Sequence, residues 1–90
     1  MIYYKASFYS GDPAYPDYVI PGEHVTPCQA LTHVLLDIYR TKTEKRQFYN
    51  SLDYYTIHEY DSAQQAPCAG DEILRTWNAA ELSEEIGFEK

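Results

Sequence analysis

Hydrophobic and polar residues alternate along two segments of the chain, and this alternation predicts β-strands. From Ile2 to Tyr9, every second residue would face the same side, and the run stops at a Ser-Gly-Asp-Pro turn, residues 10–13. A second alternating run extends from Asp53 to Tyr60, and residues 72–77 are interpreted as a further strand, with a helical turn as the alternative. Residues 18–20 lie between prolines, which lack an N–H donor, so they are predicted to form a short edge strand or an extended loop.

An amphipathic helix is predicted over about residues 27–41. Thr26, Pro27 and Gln29 form a capping-box pattern, with a threonine N-cap, a proline in the first turn and a glutamine three residues after the cap. The apolar stripe contains Leu31, Val34, Leu35, Ile38 and Tyr39, and the opposite face carries Thr32, His33, Asp37 and Arg40. Because such a helix has one apolar side, it is expected to pack that side against the sheet.

A shorter helix is predicted over about residues 79–86. Asn78 and Glu81 repeat the capping pattern, and Leu82 starts a one-sided apolar stripe. Together the elements predict an α+β fold, in which a small, largely antiparallel sheet of three to four strands carries the longer helix on one face. Residues 1–90 would form a single compact domain, and the second face of the sheet would be open and rich in tyrosine.

Composition narrows the functional classes. The chain has 90 residues, ten tyrosines and a net charge of -7, from 14 acidic and 7 basic residues. This charge disfavours direct binding to nucleic acid, because contacts to phosphates require basic side chains. No apolar run approaches the ~18–20 residues of a membrane span, and the first residues lack the features of a signal peptide, so a cytoplasmic protein is expected. The tyrosines suit both half-buried strands and binding interfaces, and both interpretations stay open.

Cysteine and histidine are the candidates for metal binding and nucleophilic catalysis. The potential ligands are His24, Cys28, His33, His58 and Cys68. Their spacing matches no paired zinc-binding pattern, so neither a metal nor another cofactor is predicted. Cys28 lies near the start of the predicted helix and could act as a thiol nucleophile, with His24 or His58 as its base. No signature of an oxyanion hole or substrate cleft accompanies it, so we predict that the chain is not an enzyme. A single pair of cysteines in a chain without an export signal predicts reduced, buried thiols.

Acidic residues are concentrated in the second half of the chain, whereas residues 40–46 carry four of the seven basic residues. Excess negative charge raises the rate of association with a basic partner, and solubility alone is the alternative reason for it. The predicted partner-binding residues are the tyrosines and carboxylates Tyr54, Tyr60, Glu59, Asp61, Asp71, Glu72, Glu81, Glu84 and Glu85.

These features predict a small, non-enzymatic binding protein. In size, charge and compactness the chain is similar to the small acidic inhibitors of phages and mobile elements, including anti-restriction and anti-CRISPR proteins, although it carries no motif of one such family. The similarity implies a basic partner protein, such as a nucleic-acid-binding enzyme or effector complex, whose binding surface the carboxylates and tyrosines would occupy. The alternatives are a homo-oligomeric regulatory or structural subunit, for example a homodimer through a sheet edge, and a small thiol enzyme that uses Cys28.

Overall fold

The strands form one antiparallel sheet that carries a helix on one of its faces. The computed structural model describes residues 1–42, 51–63 and 70–86. Their elements are β1 Ile2–Phe8, β2 Tyr18–Val19, α1 Pro27–Lys42, a 3₁₀ turn Leu52–Tyr54, β3 Tyr55–Asp61, β4 Glu72–Asn78 and α2 Ala79–Ile86. In this part of the chain the sheet has four strands in the order β2-β1-β3-β4, all antiparallel to their neighbours. The predicted α+β fold, with its longer helix and its short second helix, is confirmed.

The hydrophobic core lies between α1 and the two central strands. β1 and β3 pair along their whole length, and the side chains of Ala6, Phe8 and Ile57 are buried on the face toward the helix. Leu31 and Val34 of α1 are completely buried against them. Burying an aliphatic or aromatic side chain of this size contributes about 1.5–3 kcal/mol, so this layer is the main source of stability.

Both helices begin at the caps that the sequence predicts. The hydroxyl oxygen of Thr26 accepts a hydrogen bond from the Gln29 N–H at 3.2 Å, and the Gln29 side chain accepts one from the Val25 N–H at 3.0 Å. The second bond differs from a standard capping box because its donor precedes the cap by one residue. At α2, the Asn78 side chain accepts from the N–H of Ala80 at 2.9 Å. Neither helix is long and apolar enough, within its described residues, to cross a bilayer.

One side of α1 departs from its predicted pattern. Tyr39, which the sequence places in the apolar stripe, is 72% exposed, whereas Asp37, predicted on the polar face, is only 6% exposed. The phenols of Tyr18 and Tyr55 each donate a hydrogen bond of 2.5 Å to one carboxylate oxygen of Asp37. The guanidinium of Arg40 donates to the other oxygen at 2.5 Å. The prediction was wrong for both positions. For Asp37 the reason is that its phenol donors come from β2 and the start of β3, which helical periodicity cannot reveal.

The last strand lies at the edge of the sheet. Among the described residues only β3 pairs with β4, which is mostly exposed and extends to Asn78. This excludes the helical turn that was the alternative for this segment. The pairing steps from Arg75 opposite Glu59 to Ile73 opposite Tyr60, so it skips Leu74, which forms a β-bulge.

Candidate partner-binding surface

The residues predicted to bind a partner occupy separate regions of the structure. Asp61, Asp71 and Glu72 lie at one end of the sheet, Glu81, Glu84 and Glu85 lie on α2, and Tyr54, Glu59 and Tyr60 lie along β3 or directly before it. β4 connects the first group to the second. Because a strand rises about 3.3 Å per residue, its length separates the two groups by about 20 Å. The structure therefore places three of these six carboxylates at each end of β4.

Glu59 is buried, and the fold itself supplies its partners. Its carboxylate accepts a hydrogen bond from the Tyr4 hydroxyl at 2.7 Å and another from the Arg75 guanidinium at 3.2 Å. The bond from Tyr4, with the smaller contribution of Arg75, lowers the pKa of Glu59 although burial acts in the opposite direction. The negative charge of Glu59 is thus balanced inside the protein and is not presented at the surface.

Asp61, Asp71 and Glu72 form what we call the acidic corner. Asp61 ends β3, Glu72 begins β4, and the two residues are directly opposite each other in the antiparallel register. Side chains in such a position have Cβ atoms about 4.5–5.5 Å apart, and like charges there are destabilising. Asp71 directly precedes Glu72 and follows a turn at Gly70, whose φ of 88° is a conformation that glycine adopts without strain. The turn and the register together bring three carboxyl groups to one end of the sheet.

Few cations balance the acidic corner. The ammonium group of Met1 lies 3.4 Å from a carboxylate oxygen of Asp61. Arg75 is the cation of β4, but its guanidinium contacts Glu59 and lies 5.0 Å above the ring of Trp77. Within the described residues Glu72 makes no salt bridge. Glu72 is therefore an exposed carboxylate that pairs with none of the described cations and lies opposite a second carboxylate.

Two stacked tyrosines adjoin the acidic corner on the sheet face opposite α1. Tyr3 and Tyr60 are paired across β1 and β3, and their rings are 5.0 Å apart with an angle of 8° between the planes. The Tyr3 hydroxyl donates a hydrogen bond of 2.5 Å to Asp71. Burial, together with the adjacent Asp71 carboxylate, raises the pKa of Tyr3 to about 12. Tyr60 covers the buried Tyr3 and is half-exposed, whereas Tyr54 packs against the hydrophobic core.

The three glutamates of α2 are exposed, and one has a structural explanation. Glu81 lies in the first turn of the helix, where a negative charge is favoured by the helix dipole. Glu84 and Glu85 follow in the later turns, where the dipole no longer favours acidic side chains. Their charges contribute to the negative potential around the molecule, but they are not continuous with the acidic corner.

Pairs of a phenol and a carboxylate are the feature that sequence reasoning missed. The hydrogen bonds from Tyr3 to Asp71 and from Tyr4 to Glu59 join residues that are 68 and 55 positions apart in the chain. Alternation along β1 correctly places these two tyrosines on opposite faces of the sheet. No local signal identifies their acceptors, because these depend on the register between strands that are distant in sequence.

The histidines do not form a metal site in the described part of the chain, where no group of three or more potential ligands is found. The rings of His24 and His33 are 4.3 Å apart, and burial, followed by the charge of His33, lowers the pKa of His24. His58 lies elsewhere, with its Nδ1 atom 3.0 Å from the Thr76 hydroxyl, and burial lowers its pKa. The contact of His24 with His33 of α1 is thus separate from that of His58, which lies in β3 and contacts β4.

Cys28, the candidate nucleophile, is an exposed free thiol in the first turn of α1. The cysteine with which it could pair, Cys68, lies outside the described residues. A shallow cleft of about 400 Å³ is lined by His33, Asp37 and Arg40 among others, but Cys28 is not part of it. The described geometry therefore adds no partner group to the thiol.

No protein-family model matches this sequence, and comparisons with curated proteins and with solved structures found no match either.

Proposed function

We propose that this chain is a non-enzymatic, cytoplasmic binding protein that occupies the cationic, nucleic-acid-binding surface of a partner protein. The acidic corner is the primary contact, and Tyr60 provides the adjacent aromatic surface. In this role the protein acts as an inhibitor of the anti-restriction or anti-CRISPR type, because nucleic acid and inhibitor compete for the same basic groove.

The observation that carries this proposal is the direct opposition of Asp61 and Glu72 on neighbouring strands, with Asp71 directly before Glu72 in the chain. A like-charge pair in this position costs stability, and nothing in the described fold offsets the charge of Glu72. Local features that oppose stability are typical of functional sites. A cationic partner relieves this repulsion on binding, so the cost in the free protein becomes a gain in the complex.

The tyrosine stack supports the same surface. Tyr60 directly precedes Asp61 in β3, so its ring lies on the other face of the sheet from Asp61 and Glu72. On that face the ring is held in place by Tyr3, whose hydroxyl is bound to Asp71 of the acidic corner. A ring that is already ordered loses little conformational freedom on binding, which favours affinity. Tyrosine is also one of the residues enriched among interface hot spots. The arrangement therefore joins an immobilised aromatic ring to a group of carboxylates.

Affinity capture from the native host, followed by competition, tests the proposal. The tagged protein is incubated with lysate at about 50 mM and about 300 mM salt, because screening over ~10 Å or less weakens contacts between exposed charges. Each retained protein is then purified, and its binding to labelled DNA or RNA is measured with and without the chain. We expect a basic protein that is released at the higher salt concentration and that loses its nucleic acid when the chain is added.

Charge variants show whether the acidic corner is the contact. The double variant Asp61→Asn/Glu72→Gln removes the opposed charges, and Glu84→Gln/Glu85→Gln is its matched control, with the same change of net charge on α2. We expect the first variant to weaken competition by at least ~10-fold and the control by less than ~3-fold. Equal losses in the two variants, or a retained protein that does not bind nucleic acid, would contradict the proposal.

A homo-oligomer is the second candidate, and the exposed edge of β4 is the observation that favours it. An edge strand with apolar side chains can pair with the same strand of another copy. Sedimentation measurements over a range of protein concentrations decide this point. A stable dimer that does not dissociate at low salt would favour the oligomeric function over the inhibitor.

A further inference from the structure

The edge of β4 combines unpaired strand backbone with exposed apolar side chains. Ile73 and Leu74 are 49% and 43% exposed, and no further strand pairs with β4 among the described residues. Alternate N–H and C=O groups of an antiparallel edge strand point away from its neighbour and are able to pair with an added strand. Proline, which commonly blocks such edges, is absent from the seven residues of β4.

The charges around this edge determine which kind of strand fits. The acidic corner lies at the first residue of β4, and Glu81 lies in the turn of α2 that directly follows the strand. Between these ends, Arg75 is bound by Glu59 and Trp77, and therefore does not neutralise the corner. A strand that pairs along β4 thus meets the apolar side chains of Ile73 and Leu74 directly beside the acidic corner.

A second copy of the chain fits this edge poorly. In an antiparallel self-pairing that uses the whole length of β4, Arg75 would lie opposite Arg75 of the second copy, since it is the central residue of the strand. Like charges in directly opposite positions are destabilising. The net charge of -7 on each copy adds long-range repulsion. Charge complementarity therefore favours a basic partner over self-association.

We propose that β4 receives an extended, basic segment of the partner protein, which adds to the sheet as an antiparallel fifth strand. Its apolar residues cover Ile73 and Leu74, and its lysine or arginine side chains contact the acidic corner. This inference rests on the proposed function, since it specifies how the same acidic surface engages its cationic partner. It adds a requirement on the partner segment, which must be extended and must offer a free N–H group at alternate residues for main-chain pairing.

Matched synthetic peptides test this mode of binding. The probe is Thr-Val-Thr-Val-Val-Lys-Arg-Lys with blocked ends, in which an antiparallel arrangement brings the basic residues to the start of β4. A flexible control replaces every valine by glycine and keeps the charge. Two further peptides carry N-methyl groups on alternate residues, one on the odd positions and one on the even positions. The fluorescence of Trp77, the single tryptophan of the chain, reports binding because none of the peptides is aromatic.

We expect one of the two methylated peptides to bind at least ~10-fold more weakly than the probe, and the other to bind nearly as well. Only binding as an added strand distinguishes methylation at the odd positions from methylation at the even positions. In such a strand, alternate N–H groups of the peptide face the edge of β4. The glycine peptide should also lose at least ~10-fold in affinity, since it is not predisposed to an extended conformation.

Protein variants locate the binding site. Leu74→Lys places a charge on the edge and should weaken binding of the probe by at least ~10-fold. Leu36→Lys adds the same charge at an exposed leucine of α1 and should change the affinity by less than ~2-fold. Leu74→Thr removes the apolar contact without adding a charge and keeps a residue that favours β-strands. Thermal unfolding of each variant verifies that it is folded.

The outcomes separate this inference from the proposed function. Equal, salt-sensitive binding of the probe, the glycine peptide and both methylated peptides would overturn strand addition and leave the acidic surface as the binding site. Failure of the probe to bind at about 50 mM salt would also overturn strand addition, while nucleic-acid competition independently decides the proposed function. A dimer that Leu74→Lys dissociates would assign the edge to a second copy instead.

Discussion

Asp37 and the acidic corner show two uses of the same functional group in one small protein. Asp37 is a buried residue of α1 that accepts hydrogen bonds from the hydroxyls of Tyr18 and Tyr55 and from the guanidinium of Arg40. At the acidic corner, by contrast, carboxylates lie side by side at the end of the sheet and are largely open to solvent. The negative charge of Asp37 is balanced by hydrogen bonds inside the fold, whereas the acidic corner presents negative charge at the surface.

The difference explains how a protein with a net charge of -7 can fold and still present a negative surface. Asp37 and Glu59 are the buried acids of the described chain, and each receives at least one phenol hydroxyl as donor. Hydrogen bonds to an ionised group are stronger than those between neutral groups, so tyrosine hydroxyls stabilise these charges without adding many cations. The exposed carboxylates of the described residues, such as Glu72, Glu84 and Glu85, need no internal partner because water solvates them.

Removal of the Asp37 carboxylate is expected to cause the largest loss of stability. In Asp37→Ala the buried hydroxyl of Tyr55 loses its acceptor and Tyr18 loses its own, so the free energy of unfolding should fall by about 2–4 kcal/mol. Urea unfolding followed by circular dichroism measures the change. Asp61→Asn is the control at the acidic corner, with an expected effect within ~0.5 kcal/mol. Equal losses in the two variants would show that the two regions do not differ in the way described.

Acid should destabilise the protein through the buried carboxylates. The hydrogen bonds from the two phenols and from Arg40 outweigh burial and lower the pKa of Asp37, and hydrogen bonding also lowers the pKa of Glu59. A group whose pKa is lower in the folded state contributes stability above its unfolded pKa, about 4 here, and loses it as the pH falls through the folded value.

The free energy of unfolding, measured from pH 6 to pH 2, should therefore decline below about pH 4. In Asp37→Asn this decline should be less steep, when each protein is compared with its own free energy of unfolding at pH 6. Glu84→Gln, which removes an exposed carboxylate, should leave the shape of the curve unchanged. An acid limb of the same steepness in the wild-type protein and in Asp37→Asn would contradict the assignment.

Local sequence patterns were sufficient for the elements of the fold, but not for the electrostatic contacts. The capping residues Thr26 and Asn78 mark the starts of both helices, and alternation identifies the faces of β1 and β3. The burial of Asp37 could not be predicted, because its donors come from strands that meet only in the folded sheet. The acidic corner is an intermediate case, since its residues were predicted but their direct opposition depends on the register between β3 and β4.

Tyr3→Phe tests the link between the tyrosine stack and the acidic corner. The substitution keeps the stack with Tyr60 but leaves Asp71 without its phenol donor, so stability at pH 7 should fall by about 1 kcal/mol. Because the pKa of Tyr3 is raised to about 12, its contribution is complete below pH 10 and is lost as the pH rises through the folded value. Spectrophotometric titration should show one fewer late-ionising phenol in Tyr3→Phe, with Tyr9→Phe as the exposed control. An unchanged titration curve would show that Tyr3 is not protected.

Glu72→Gln should have the smallest effect, and its sign is opposite to the others. Removing one of two opposed carboxylates relieves repulsion, so the free energy of unfolding should rise by about 0.2–0.5 kcal/mol at low salt and return toward the wild-type value at high salt. Glu85→Gln on α2 provides the comparison for a carboxylate that has no opposed acid on a neighbouring strand. Destabilisation by Glu72→Gln would mean that the acidic corner contributes to the fold in the same way as Asp37 does.

The most direct test of the account maps the binding site by NMR, with the lysine-containing strand peptide added to ¹⁵N-labelled protein. We expect amide shift changes to be concentrated at residues 60–62 and 71–76, around the acidic corner and the edge of β4, and to decrease at high salt. The amides next to the buried Asp37 should remain unchanged. Shifts that centre on α2, or that spread evenly over the whole surface, would contradict the claim that this protein reserves one end of its sheet for a cationic partner.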